Sequence, residues 1–317
     1  MENDSRMYVV HCLTPVHIGK GQGVGAVDLP MIREKTTNWP YLPGSSVKGV
    51  HREYYRSRLQ KSEKWLNGAF GTQSGRGIPT DAETDLQEDH GNAGALVMTD
   101  ARILAFPVAS HYGTFAYVTC PLVLKRLERD MTAGRIAMPK LDWRSIEKLL
   151  QAEYVIVSSE EKLVERSSQS PKIYIDEFVS KAKKEPSFAD WGDWLVRQLY
   201  SSMVSEDVEV SRSTLQERLA LVSDEDFQYF VEMCSEIVPR IRINENMKTV
   251  VDGALWNEEY LPAESILYGL IWCDPVLNRS ANISLNEMPE ETFLQIGGNA
   301  TVGKGRIRCC YVKGGAE

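Results

Sequence analysis

Apolar and polar positions along the chain place strands at both ends and a helix-rich stretch between them. Residues 8–18, YVVHCLTPVHI, are a β-branched and aromatic run broken at Pro15, which predicts a strand that ends in a turn. A ladder of glycines follows (Gly19, Gly21, Gly23, Gly25), then VDLPMIRE. Pro40, Pro43 and Gly44 punctuate the next loop. Ser45 or Ser46 is then placed to cap a helix through about Leu59, with Val47, Val50 and Tyr54 at helical spacing. Residues 95–108 and 115–124 read as core strands, the second running into a basic helix. The segment 143–235 reads as a mostly helical insertion, in which Phe188, Trp191, Trp194 and Leu195 share a stripe that predicts core packing. Strands return at 237–244 and 265–273, a short helix is predicted near Glu290–Phe293, and a last strand spans 306–312. Strands that flank a helical middle predict an α+β domain with elaborations.

Composition narrows the class. At 317 residues the prior is two domains, or one with long insertions. The 43% apolar and 25% charged residues exclude a wholly disordered, collagen-like or coiled-coil chain. No apolar run is long enough to span a membrane and no signal-peptide pattern opens the chain, so no membrane partner and a cytoplasmic location are expected. Six cysteines without a C-x-x-C pair argue against a disulfide framework or structural zinc.

The net charge of −8 argues against a free nucleic-acid binder, until its distribution is considered. Between Gly44 and Lys64 six Lys/Arg face two Glu, and between Ile296 and Lys313 four Lys/Arg face no acid. The acid is elsewhere: the polar loop at 71–94 carries five carboxylates between Asp81 and Asp89. An acidic protein with a basic face is therefore expected, although a single charged run is more often a solvated surface.

Two glycine motifs imitate nucleotide sites and fail on context. Gly21 to Ala26 satisfies G-x-G-x-x-A but opens no helix, and Gly298 to Lys304 satisfies G-x-x-x-x-G-K but is followed by Gly305 where a magnesium-binding Ser/Thr belongs. What survives is a backbone able to approach an anion closely. Gly297, Gly298, Gly303, Lys304, Gly305, Arg306 and Arg308 make a candidate phosphodiester cradle, against the plainer reading of a tight turn with exposed lysines. The helix start at 44–53 offers free N–H groups with Ser45, Ser46, Lys48 and Arg52, which is how helix termini hold phosphates; a plain serine cap is the alternative. Segment 239–262 reads as an extended hairpin in which Arg240, Arg242 and Lys248 would touch a backbone, and Leu255, Trp256 and Tyr260 would wedge against bases unless they are core.

Asp28 follows the glycines and precedes Pro30, so its carboxylate is presented from an irregular segment; His17 lies eleven positions earlier, at the end of the first strand. An acid and an imidazole beside a phosphate cradle suit RNA cleavage, in which the ribose 2′-hydroxyl attacks its own phosphate. That reaction needs in-line geometry, a proton acceptor and charge neutralisation, often by a divalent metal ion such as Mg2+ or Mn2+, with Asp28 expected to help bind the ion or to accept the 2′-hydroxyl proton and His17 to support it. A turn aspartate and a packed histidine are the structural alternative.

Taken in order, HIGKGQGVGAVDLPMIRE, LPGSSVKGVHRE, RIRINENMKTVVDGALWNEEYLP and IGGNATVGKGRIR resemble the RAMP superfamily, and more narrowly the backbone ribonuclease subunits of type III-B CRISPR (Cmr) effector complexes. The Val27-Asp28-Leu29-Pro30 loop with GALWNEEYLP is the more specific part. The resemblance implies a ferredoxin-like, RRM-related α+β core with a protruding β-hairpin thumb within 240–262, in a chain expected to be a single domain over 1–317; about the acidic loop and the helical insertion at 143–235 it says little. It implies copies of the chain stacked along a CRISPR guide RNA with other type III-B subunits, and paired target RNA cut at regular intervals where each thumb displaces a base. Asp28 then matches the catalytic aspartate, His17 a histidine beside it and Lys48 a guide-contacting position. Glu258, Glu259 and Tyr260 would lie near the cut site of a neighbouring subunit, and 297–305 would support the guide. The rivals are a non-catalytic scaffold that only orders guide RNA and, last, a nucleotide-dependent enzyme.

Overall fold

The computed structural model describes residues 5–21, 27–72, 92–165, 170–200, 214–244, 246–247 and 249–312. Gly23, Gly25, Lys248 and most of the acidic loop, including Asp81 to Asp89, lie outside the described residues. The architecture is mixed α/β, organised on one large mixed sheet of 13 strands and a separate two-stranded hairpin.

The first strand, Arg6–Cys12, is buried at every position, as its apolar run requires. It pairs antiparallel with Arg306–Val312 on one side and with Ile266–Cys273 on the other. Tyr8 faces Gly269 across that ladder, where a Cβ would overlap the tyrosine ring. Ile266–Cys273 continues to Ala101–Ser110 and then Thr114–Thr119. The expected strand at 95–108 is split at Thr99 and Asp100, leaving Leu96–Met98 and Ala101–Ser110 to pair separately with Ile266–Cys273.

Three sequence expectations are corrected. The segment 143–235 holds helices Trp143–Gln151, Pro186–Leu199 and Asp224–Met233, but also five strands that extend the sheet. Leu219–Leu221, Tyr154–Val157, Phe178–Lys184, Lys172–Ile175 and Val164–Glu165 are too short to show a period, and polar turns separate them. Ser110 meets Ile175, so this half of the sheet curls back on itself. The helix predicted near Glu290–Phe293 is an edge strand, Glu291–Gln295, with Thr292 and Leu294 buried and Phe293 exposed, a period of two.

The third correction concerns the first helix, Gly44–Ser57. Its N-cap is Pro43, which has no side-chain oxygen, and neither serine caps it. Asp100, from the break between two strands, accepts the Gly44 N–H at 2.7 Å. On the buried face of this helix, His51 is wholly enclosed and bonded to the Val47 carbonyl and the Tyr311 hydroxyl, tying the helix to the last strand.

Phe188, Trp191, Trp194 and Leu195 are buried, as their stripe predicts. All six cysteines are free thiols. Among the described residues no helix is long and apolar enough to cross a membrane.

Two outcomes test this packing. Asp100→Ala is expected to lower stability by about 1 kcal/mol in chemical denaturation, whereas Ser45→Ala should change it by less than about 0.5 kcal/mol. Burial holds the His51 pKa down at about 4, against the weaker pull of its bond to Val47. Because the unfolded chain takes up the proton first, His51 lends stability at neutral pH that is lost as pH falls from about 6.5 toward 4. Denaturation midpoints across that range should show this slope, and His51→Gln should remove it.

Candidate functional site

The site is built around one stretch of chain, 256–261, at the base of the hairpin. The hairpin pairs Glu236–Ile243 with Val250–Tyr260, with a bulge between Ile241 and Ile243. It starts four residues before the expected 240 and forms its own sheet. Because side chains alternate along a strand, Trp256, Glu258 and Tyr260 point to one face and Asn257 and Glu259 to the other.

On the first face Glu258 is the hub. Its Oε2 accepts from Arg240 Nε at 3.2 Å, from Asn299 Nδ2 at 3.0 Å and from the Tyr260 hydroxyl, while its Oε1 accepts from Trp256 Nε1 at 2.9 Å. Burial pushes the Glu258 pKa up, but the hydrogen bonds from Tyr260, Trp256 and Arg240 outweigh it and hold the carboxyl below its ordinary value. Burial, reinforced by the bond to Glu258, pushes the Tyr260 hydroxyl up. Tyr260 is wholly enclosed, with Lys304 Nζ 4.7 Å above its ring and the His17 ring 5.4 Å away, so it is not open to a base. Trp256 is half-buried, and Leu255 and Arg242 are exposed.

The other edge of the same strand carries the acid and the imidazole. Leu29 N–H donates to the Asn257 carbonyl at 3.1 Å and Glu259 N–H donates to the Leu29 carbonyl at 3.0 Å, the start of a parallel ladder. This pairing delivers Asp28, whose Oδ2 accepts the Asn257 N–H at 2.8 Å. The residue is exposed, and among the described residues its Oδ1 has no partner. In a regular parallel ladder the next bond would run from Met31 N–H to the Glu259 carbonyl. Instead that carbonyl takes the His17 Nδ1–H at 2.7 Å, and Leu261 N–H turns to the Val16 carbonyl at 2.9 Å. A carbonyl only accepts, so Nδ1 carries the proton and Nε2 of the neutral ring is a bare acceptor. Asp28 and His17 thus hang from the amide and the carbonyl of residues two apart on one strand.

The Met31 N–H left over finds the Glu259 carboxylate, Oε2 at 3.0 Å, whose Oε1 pairs with Arg33 Nη2 at 2.6 Å. Glu259 is buried and Arg33 half-buried, and Arg33 also reaches the Asn38 and Val231 carbonyls and Ser235 Oγ.

The terminal glycine loop closes the site from behind. Gly298 N–H donates to the His17 carbonyl at 2.9 Å and Gly305 N–H to the Pro15 carbonyl at 2.8 Å. Gly297 and Gly305 both have φ of +79°, and a Cβ would overlap the carbonyl oxygen of His17 at the first and of Ile296 at the second. Gly303, also left-handed, faces open space, and Arg306 is exposed. Arg308 is not part of this cradle: it is buried against Glu291 and stacked 4.8 Å from the Tyr200 ring.

At the first helix, Ser45 is exposed and Ser46 half-buried in the first turn. Lys48 is half-buried, and burial with the neighbouring Arg52 charge pulls its pKa down. Arg52 turns inward to Asn67 Oδ1 at 2.7 Å and the Gly71 carbonyl. The described contacts do not join this helix start to the Asp28 segment. Nothing in the sequence pattern points to Asn299, Asn257 or Arg33. Only the alternation of 256–260 hints that Glu258 and Glu259 serve opposite faces.

No cluster of three or more His, Cys, Asp or Glu among the described residues could hold a metal ion alone. Asp28 nevertheless fits a divalent ion that takes one carboxylate oxygen from the protein and the rest from phosphate and water, which is the habit of Mg2+.

The family model described as the RAMP superfamily matches residues 9–308. The chain is 35% identical over 304 residues to the CRISPR system Cmr endoribonuclease Cmr4 of Pyrococcus furiosus, covering 94% of this chain and 92% of that protein. It is 22% identical over 309 residues to the CMR subunit Cmr4 of Saccharolobus solfataricus, covering 95% and 94%. Among solved structures, oligomeric Cmr4 from Pyrococcus furiosus aligns with a TM-score of 0.63 at 26% identity, over 98% of this chain and 99% of that one. A chain of the type III-B Cmr-beta complex bound to cognate target RNA shares the fold, with a TM-score of 0.65 at 17% identity over 97% and 96% of the two chains. A match across nearly the whole length, carried by a relative at this identity, means that the chain belongs to the RAMP superfamily.

Proposed function

We propose that this chain is an RNA-guided endoribonuclease subunit of a type III-B CRISPR effector complex. The observation that carries the reading is the exposed Asp28 carboxylate, fixed by the Asn257 N–H two residues from the carbonyl that orients His17. The endoribonuclease named among its relatives, 35% identical over 94% of the chain, supports the same reading. Copies of the chain would line up along guide RNA with other type III-B subunits in the cytoplasm, and paired target RNA would be cut at each copy.

The sheet order supports a ferredoxin-like core. The four strands Arg306–Val312, Arg6–Cys12, Ile266–Cys273 and Ala101–Ser110 are consecutive and antiparallel neighbours, the 4-1-3-2 order of such a core. The hairpin from Glu236 to Tyr260 would be the thumb, with Ile237, Ile241 and Leu255 exposed on one face, Arg240 on the other and Arg242 exposed at the bulge.

In the reaction the 2′-oxygen forms a bond to the adjacent phosphorus, the P–O5′ bond breaks and the departing 5′-oxygen takes up a proton from water. Nε2 of His17, the free acceptor of a ring locked by its Nδ1–H, would receive the 2′-hydroxyl proton. Asp28 would hold a divalent ion, Mg2+ or Mn2+, which when bound neutralises charge growing on the phosphoryl oxygens. Lys304, Arg306 and the glycine loop, with Ser45, Ser46 and Lys48 at the helix start, would grip the guide backbone, leaving sequence recognition to base pairing. An acidic chain tolerates this role when its basic face lines a groove completed by neighbours.

Asp28→Ala in the assembled complex is expected to retain target RNA and to cut it at least about 100-fold more slowly; unchanged cutting would favour the scaffold reading. Removing divalent ions with EDTA should stop cutting while leaving RNA bound, and Mg2+ or Mn2+ should restore it. Cutting that persists in EDTA removes the metal from the mechanism.

A further inference from the structure

Glu259 and Arg33 form an ion pair beside the candidate site, with side chains only 10% and 11% exposed. We propose that they are a positioning pair: the Glu259 carboxylate stands in for the Glu259 carbonyl, freeing that carbonyl to hold His17 while the Asp28 segment stays in register. This inference rests on the functional reading of Asp28 and His17 given above.

The geometry of the ladder carries it. The parallel pairing begun at Leu29 would consume the Glu259 carbonyl at its next step, through Met31 N–H. One lone pair of that oxygen is aimed at His17 Nδ1, 2.7 Å away. Met31 N–H is instead satisfied 3.0 Å away by the side chain of the same residue. A single glutamate therefore supplies two acceptors, backbone to the imidazole and carboxylate to the strand that bears the acid. Arg33, two residues beyond Met31, pairs with the other carboxylate oxygen at 2.6 Å. Its bonds to the Val231 carbonyl and Ser235 Oγ anchor the pair to the end of helix Asp224–Met233 and the entry to the hairpin, and a further bond from Nη1 to the Asn38 carbonyl at 2.8 Å holds the guanidinium to its own loop.

Without the carboxylate, Met31 N–H is a buried donor without a partner, and the nearest acceptor in ladder geometry is the carbonyl that orients His17. Capture of that carbonyl would turn the imidazole away, and misplacement of a reacting group by about 1 Å is worth about 100-fold in rate. Glutamine keeps an acceptor oxygen on the same stem, so the conservative variant separates positioning from charge.

The test is single-turnover cutting of a defined target RNA by the complex assembled with each variant, together with target retention and the pH–rate profile. Glu259→Ala is expected to cut about 100-fold more slowly with target retention unchanged and the acid limb of its pH profile displaced. Glu259→Gln is expected to recover to within about tenfold of wild type, and Arg33→Met to fall between the two. Wild-type rates in both Glu259→Ala and Arg33→Met overturn the proposal. So does a loss of rate matched by an equal loss of target retention with an unmoved pH profile, which would make the pair a fold staple. If Glu259→Ala does not assemble, Arg33→Met against Arg33→Lys gives the same comparison, with equal rates as the overturning result. Asp28→Ala run alongside separates the failures: if it too cuts normally, the functional reading itself has fallen.

Discussion

The site depends on a change of partner along one strand. Between Asn257 and Leu261 the backbone pairs first with the segment carrying Asp28 and then with the segment carrying His17. Hydrogen-bond geometry allows each carbonyl and amide only a few directions, so this handover sets where the acid and the imidazole stand relative to each other. Everything else buttresses it. The glycine loop presses on the His17 carbonyl from one side, and the hairpin continues the strand outward from the other.

The two faces of the strand divide the labour. Glu258 collects donors from the hairpin, from Tyr260 and, through Asn299, from the glycine loop. It thereby couples two elements that are distant in sequence and that carry the exposed cations. Asn299 adopts a left-handed backbone to do this, a conformation asparagine tolerates better than most residues. Glu259 faces the interior and is matched by Arg33, the arrangement in which a buried carboxylate is tolerated.

Much of the fold was legible in the sequence where runs were long. The buried first strand, the strand at 306–312 and the aromatic stripe of 188–195 follow from period and composition, the expected strand at 95–108 is right in kind but broken at Thr99 and Asp100, and the hairpin is legible from its place between two strands, since its segment shows no clean period. The middle was not, because its strands are two to seven residues long and take their identity from sheet neighbours. The capping of the first helix was hidden for another reason: Asp100 lies 56 positions away from Gly44, and no local pattern announces it. At the site, Asp28 and His17 could be singled out as chemistry-bearing residues, but the atoms that hold them are backbone groups of 257 and 259, which leave no trace in residue type. Arg52 and Arg308 show the converse, since cations that read as phosphate ligands turn inward to neighbours of their own chain.

The glycine loop is held at both ends by carbonyls of the first strand's extension, and its two tightest turns admit no side chain. A loop so constrained would have little conformational freedom left to surrender to the RNA backbone proposed for it. Its shape is preorganised, so discrimination among polyanions would rest on how well their curvature matches a rigid rim, with little scope for the rim to mould itself around each of them.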